Sequence, residues 1–164
     1  MNLQLENKLA LVSGSTAGIG FAIAKALAAE GARVIVNGRT EARVKEAIAS
    51  IGADIPSAKL EALAVDLSKA DKAAEATRRY PDVDILVNNL GIYEVKPFEQ
   101  ITDDDWDSII GTNFMSGVRL SRHYLPRMKA ANWGRIIFIS TSKTARLFGT
   151  KPWNQSPCCF ERRA

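Results

Sequence analysis

Three glycines in the run Ser13-Gly14-Ser15-Thr16-Ala17-Gly18-Ile19-Gly20 are spaced so that main-chain amides, rather than side chains, face whatever approaches. A diphosphate suits such a turn, because it takes several N–H donors at close range and any side chain would obstruct it. Gly14, Ser15, Gly18, Ile19 and Gly20 are therefore the first candidate ligand-binding residues. About twenty residues on, dinucleotide-binding chains commonly carry an acid that holds the ribose hydroxyls, or an Arg that accommodates a 2′-phosphate. Here the sequence reads Asn37-Gly38-Arg39-Thr40, with no acid and with Arg39 placed to bind a phosphate. NADP(H) is thus preferred to NAD(H), with NAD(H) left open; the plainer reading of Arg39 is a solvated loop residue. A metal site or a nucleophilic triad is not expected. His123 is the only histidine, with no neighbouring Cys, and the adjacent Cys158 and Cys159 belong to no wider ligand motif.

A glycine turn is informative only between a strand and a helix, and the flanking residues predict both. Residues 9–13 form an apolar run, and in residues 18–30 Ile19, Ala22, Ile23, Ala26 and Leu27 share one helical face, with Gly31 as the stop. Residues 33–37 read as a second strand. Thr40 is placed to cap a helix that runs to Ile51 and stops at Gly52. Residues 60–65 form a third strand ending at Asp66, Ser68 is placed to cap a helix through Arg79, and residues 84–87 form a fourth strand ending at Asn88. Thr102 and the acids after it start a long helix, broken or bent near Pro126, and residues 135–140 form a fifth strand. The alternation predicts an α/β fold with a parallel sheet. Residues 1–149 read as one dinucleotide-binding domain and residues 150–164 as an irregular, aberrant tail.

The chain has 164 residues, 46% hydrophobic and 24% charged, as expected for a soluble globular domain. Its net charge of +4 is spread along helices among acids, with no basic stripe, so no nucleic-acid partner is expected. The first seven residues resemble neither a signal nor a transit peptide, and the apolar runs are too short for a membrane span. Two adjacent cysteines make a poor disulfide, and a cytoplasmic setting is expected.

The spacing Gly14-x-x-x-Gly18-x-Gly20, preceded by Ser13 in place of Thr, resembles the TGxxxGxG turn of the short-chain dehydrogenase/reductase family, classical type. Asn88-Asn89-Leu90-Gly91 resembles that family's NNAG motif, with Leu for Ala. The resemblance runs from about residue 5 to residue 140. It implies a Rossmann-like, doubly wound sheet of order 3-2-1-4-5 and hydride transfer between a nicotinamide and a small-molecule carbonyl or alcohol. It also implies that Asn89 and Gly91 line the cofactor cleft, that Asp66 contacts adenine or else caps a helix, and that Asn113 supports a water relay or else is a buried amide satisfied by backbone. Thr141, or Ser142 if the strand end slips by one, takes the place of the catalytic serine.

The family then requires Tyr-x-x-x-Lys, which this sequence lacks. Asp84, Pro97 and Met128 stand four residues beyond Tyr80, Tyr93 and Tyr124, and no tyrosine follows. Aligning Lys143 with the active-site lysine puts Ile139, which has no acidic proton, in the tyrosine's place. The chain is thus expected to be truncated before that motif, without the family's last strands, and catalytically impaired; the alternative is a noncatalytic dinucleotide-binding or interaction module. Because the family's subunits pack through the helix around Asn113, a homo-oligomer is also expected.

Overall fold

A computed structural model describes residues 3–140 of the chain. Five strands and five α-helices alternate in this region: β1 (Leu9–Val12), α1 (Gly18–Ala29), β2 (Arg33–Gly38), α2 (Glu41–Asp54), β3 (Lys59–Ala64), α3 (Ala70–Arg79), β4 (Ile85–Asn88), α4 (Asp103–Ile109), α5 (Ser116–Ala130) and β5 (Arg135–Phe138). All pairings are parallel, as the alternation predicts, and the order is β3-β2-β1-β4-β5, as the family resemblance implies.

The central strands are apolar at consecutive positions because both faces of the sheet are covered. Ala10 and Val12 point into one core with Ala24, Ala28, Val44 and Ile51 of α1 and α2. Leu11, between them, points into the other, with Ala73, Ala76, Leu120 and Tyr124 of α3 and α5. At the opposite edge, Asp84 ties three strand starts together. Its carboxylate accepts from Leu9 N at 2.8 Å and pairs with Lys8 at 3.4 Å, while its carbonyl accepts from Arg135 N at 3.0 Å. By contrast, Ile137, Phe138 and Ile139, in and just after β5, are exposed.

Several boundaries differ from expectation for local reasons. Helix α2 continues through Gly52 to Asp54, since an internal glycine only weakens a helix that already packs through Val44, Ala47 and Ile51. Thr40 occupies the N-cap position without a side-chain cap bond. Ser68 does not cap α3, which starts after Lys69; its hydroxyl donates to Asp66 Oδ1 at 2.7 Å instead. The long helical region is interrupted at Ile110–Met115, a π-helical turn between α4 and α5, rather than at Pro126. Pro126 lies on an exposed flank of α5, and the helix runs on to Ala130.

The capping of α4 is as the sequence predicts. Thr102 Oγ1 accepts from Asp105 N at 3.2 Å, and Asp105 Oδ2 accepts from Thr102 N at 3.0 Å. Asp105 also receives a hydrogen bond from Lys96 at 2.7 Å; that bond first, and then those from Thr102, lower its pKa from 3.8 to about 2. Because the folded value lies below the unfolded one, this carboxylate stabilises the fold above pH 3.8, and its contribution is lost as the pH falls through about 2. Asp105→Asn should flatten the acid limb of the stability profile within that window. Denaturant titrations of variant and wild type at several acid pH values test this, and parallel profiles would refute it.

Candidate functional site

The carboxyl ends of β1, β2, β3 and β4 meet at one edge of the sheet, and the glycine turn leaves β1 there. Two buried polar side chains shape that turn. The Ser13 hydroxyl donates to Val87 O at 3.3 Å and accepts from Asn89 N and Leu90 N at 2.9 and 3.0 Å, joining β1 to the segment after β4. The Asn37 amide nitrogen donates to Leu63 O and Val65 O, both at 3.0 Å, while its Oδ1 accepts from Gly14 N at 3.1 Å. Asn37 thus spends all of its side-chain chemistry on tying β2 and β3 to the turn. An aspartate there would set a buried charge against two carbonyls.

Each glycine of the turn has its own reason. Gly14 has φ +61° and Gly18 has φ +57°, a left-handed backbone that favours glycine. Nothing lies within 4 Å of where a Gly18 side chain would start, so the turn opens at that point. A Cβ on Gly20 would collide with Gly14 O and Asn89 Nδ2, which itself donates to Ser13 O and Gly14 O at 3.1 Å. Ser15 is fully buried: its hydroxyl donates to Val12 O at 2.8 Å and accepts from Asn37 N, and its own N–H is bound to Asn37 O. It supports the shape of the turn from behind. Ile19, 65% exposed at the start of α1, stands on the open side.

Beside this turn runs a cleft of about 470 Å³. Gly14 and Thr16 line it from the turn, Gly38, Arg39, Thr40 and Arg43 from the end of β2 and the first turn of α2, Asp66 and Ser68 after β3, and Gly91, Ile92 and Thr112 beyond β4. Asp66 lines the cleft, and it does not cap α3, whose N-cap is Lys69; its Oδ1 accepts from Ser68 N at 3.1 Å and from the Ser68 hydroxyl. The residues fit a dinucleotide: an open turn with left-handed glycines, a helix amino terminus and a wall carrying guanidinium groups.

Asn113 lies in the π-helical turn, exposed rather than buried. Its Oδ1 accepts from Ile92 N at 2.8 Å and its Nδ2 donates to Ile92 O at 2.9 Å, so one amide holds the backbone on both sides of Ile92 in the loop after β4. The Ser116 hydroxyl donates to Thr112 O at 2.5 Å within the same irregular turn. Such turns often mark functional positions in helices.

Of the tyrosines, Tyr124 is fully buried on α5 and donates to Tyr80 O at 2.9 Å; burial raises its pKa well above the ordinary range. Tyr80 is buried too, and burial likewise raises its pKa, whereas Tyr93 is exposed. Tyr80 and Tyr124 are core residues with no opening to the cleft. Thr141, Ser142, Lys143 and the tail from residue 150 lie outside the described residues. Ser13, Thr16, Asn37 and Arg43 were not singled out from the sequence as site residues. Only Arg43 left a readable signal, a second Arg four positions after Arg39.

A parallel, doubly wound sheet with a glycine turn and a cleft at its carboxyl edge defines a dinucleotide-binding Rossmann-like domain. The family model for short chain dehydrogenase matches residues 8–152, and the chain belongs to that family. It is 46% identical over 155 residues to an uncharacterized oxidoreductase of Bacillus subtilis, YvrD, an alignment covering 93% of this chain and 56% of that protein. Among solved structures it resembles a metagenomic short-chain oxidoreductase in complex with NADP (33% identity, TM-score 0.74, 84% of this chain and 63% of that one). It also resembles L-sorbose reductase from Gluconobacter frateurii complexed with NADPH and L-sorbose (32% identity, TM-score 0.77, 84% of this chain and 54% of that one). The chain spans about half the length of the curated relatives it matches.

The Asn37 arrangement is directly testable. Asn37→Asp should destabilise the domain by about 2–4 kcal/mol, because two carbonyls lose their donor and a charge is buried. Ser13→Ala should cost about 1–3 kcal/mol. Urea unfolding measures both, and values within 0.5 kcal/mol (roughly the range of ordinary surface substitutions) would contradict the assigned roles.

Proposed function

We propose that this chain is the dinucleotide-binding part of an NAD(P)(H)-dependent oxidoreductase that prefers NADP(H). The observation that carries the reading is the Gly14–Gly20 turn, held open by Ser13, Asn37 and Asn89 at the head of α1. Main-chain amides of Gly18, Ile19 and Gly20 face the diphosphate, while Gly14, whose N–H is held by Asn37 Oδ1, and Ser15 act through the shape of the turn. Asp66 meets the adenine, Gly91 borders the cleft while Asn89 acts by bracing the turn, and Arg39 binds the 2′-phosphate of NADP(H). The NADP and NADPH complexes of two structural neighbours support a nicotinamide dinucleotide. When bound, the cofactor supplies the hydride exchanged with a small-molecule carbonyl or alcohol.

In the resembled reaction a tyrosine exchanges the proton, and this chain has none in that place. Asn113 and Thr141, or Ser142, are the remaining catalytic positions, Asn113 holding the Ile92 backbone beside the cleft. General acid–base steps contribute about 10²–10⁴ in rate, so turnover without the tyrosine–lysine pair is expected at least about a hundredfold below that of a relative that has it. The missing pair is also what favours a second reading, a dinucleotide-binding module without catalysis.

We further propose a homo-oligomer. Trp106, Ile110 and Phe114 recur every four residues through α4 and the π-helical turn, and all three are exposed. No helix among the described residues is long and apolar enough to cross a membrane. A cytoplasmic protein with no nucleic-acid or membrane partner is the setting we assign.

Calorimetric titration of the full chain tests the reading. NADPH should bind at least about tenfold more tightly than NADH, the scale of one charge-assisted contact. Equal affinities would overturn the cofactor choice, and absence of binding by both would overturn the dinucleotide site itself. Sedimentation showing only monomer would overturn the oligomer.

A further inference from the structure

The cleft holds a second guanidinium that the glycine turn and Arg39 do not account for. Arg43 is the third residue of α2, and its side chain lines the same cleft as Arg39 and Thr40. Neither Arg39 nor Arg43 has a hydrogen-bond or ion-pair partner among the described residues. Of the acids nearby, Glu41 pairs with Lys45 at 3.1 Å, and Asp66, which also lines the cleft, accepts hydrogen bonds from Ser68 and forms no ion pair with either arginine. Two unpaired like charges facing one concave space make a place where an anion is stabilised.

We infer that Arg43 joins Arg39 in a two-guanidinium clamp for the cofactor's 2′-phosphate and is a specificity-determining residue of this site, an assignment that rests on the nucleotide reading above. The supports of the two arginines differ. Arg39 stands in the turn between β2 and α2, whereas Arg43 stands on a helix anchored by the buried Val44, Ala47 and Ile51. Arg43 is therefore the better preorganised, and its planar fork can present two donors to phosphate oxygens.

The end of β2 reinforces this selection. A Cβ on Gly38 would collide with Thr16 Cγ2 and press on Val44 Cγ2 at 3.1 Å. Gly38 has no room for an acidic side chain that would hold ribose hydroxyls unless Thr16 moves. With Asn37 committed to Gly14, Leu63 and Val65, the strand end offers no acid, and the adjoining wall offers two cations.

Titration calorimetry of the full-length chain with NADPH, NADH and adenosine 2′,5′-bisphosphate tests the assignment, with circular dichroism confirming the fold of each variant. Arg43→Ala should weaken NADPH and the bisphosphate about tenfold and change NADH less than about twofold. Arg43→Lys should recover part of the loss, since it keeps the charge without the fork. Raising the salt concentration should narrow the gap between wild type and Arg43→Ala. An Arg43→Ala variant that binds NADPH as wild type does, or that weakens NADPH and NADH alike, would overturn the role of Arg43 while leaving the dinucleotide site intact. Wild type that does not bind NADPH and the bisphosphate would overturn both.

Discussion

Where the parallel strands end, the chain must do two opposed things within a few ångströms. It has to satisfy the last carbonyls of the strands, and it has to leave amides free in the turn that follows. Side-chain amides and hydroxyls resolve the conflict. Asn37 takes up the carbonyls of Leu63 and Val65 while receiving Gly14 N, Asn89 takes up those of Ser13 and Gly14, and the Ser13 hydroxyl receives the amides of residues 89 and 90. These three residues keep the glycine turn from collapsing onto the sheet, and the cleft exists because they do.

The same logic governs the other wall. Asn113 holds the backbone of Ile92 by the N–H and the carbonyl on either side of its Cα, which gives the loop after β4 a defined position without a strand to carry it. The π-helical turn is the local departure from regularity at that residue. The interruption at Ile110–Met115 and the grip on Ile92 therefore occur together, and a proline sixteen residues beyond the turn's start has no part in them.

The existence of all five strands, their parallel arrangement and the glycine turn were legible because each is written in short-range patterns: apolar runs, helical faces and glycine spacing; the order of the sheet came only with the family resemblance. Helix ends were less legible. Gly52 reads as a stop yet lies inside α2, because tertiary packing of Val44, Ala47 and Ile51 outweighs a glycine's small cost. Ser68 reads as a cap yet bonds to Asp66, because both residue types satisfy backbone and side-chain groups in several ways. At the site, Gly14, Gly18 and Gly20 form the turn between β1 and α1 that their spacing suggests, whereas Asn113 was suggested only by the family resemblance, Ser15 faces inward and Arg43 enters the cleft from a helix.

Taken by itself, the sequence determined that this chain builds βα units, that a glycine turn follows the first strand, and that no tyrosine stands four residues before a lysine. All of these are properties of neighbours along the chain. Only the tertiary structure decided that Asn37 is spent on strands and turn, that Asn113 clasps Ile92, and that Arg43 shares a wall with Arg39. The hydrogen bonds of Asn37 and Asn113 span 21 to 28 residues, and those joining Ser13 to Asn89 span 76. No local pattern encodes such distances, and they are set only when the helices pack the two faces of the sheet and bring the strand ends to a common edge.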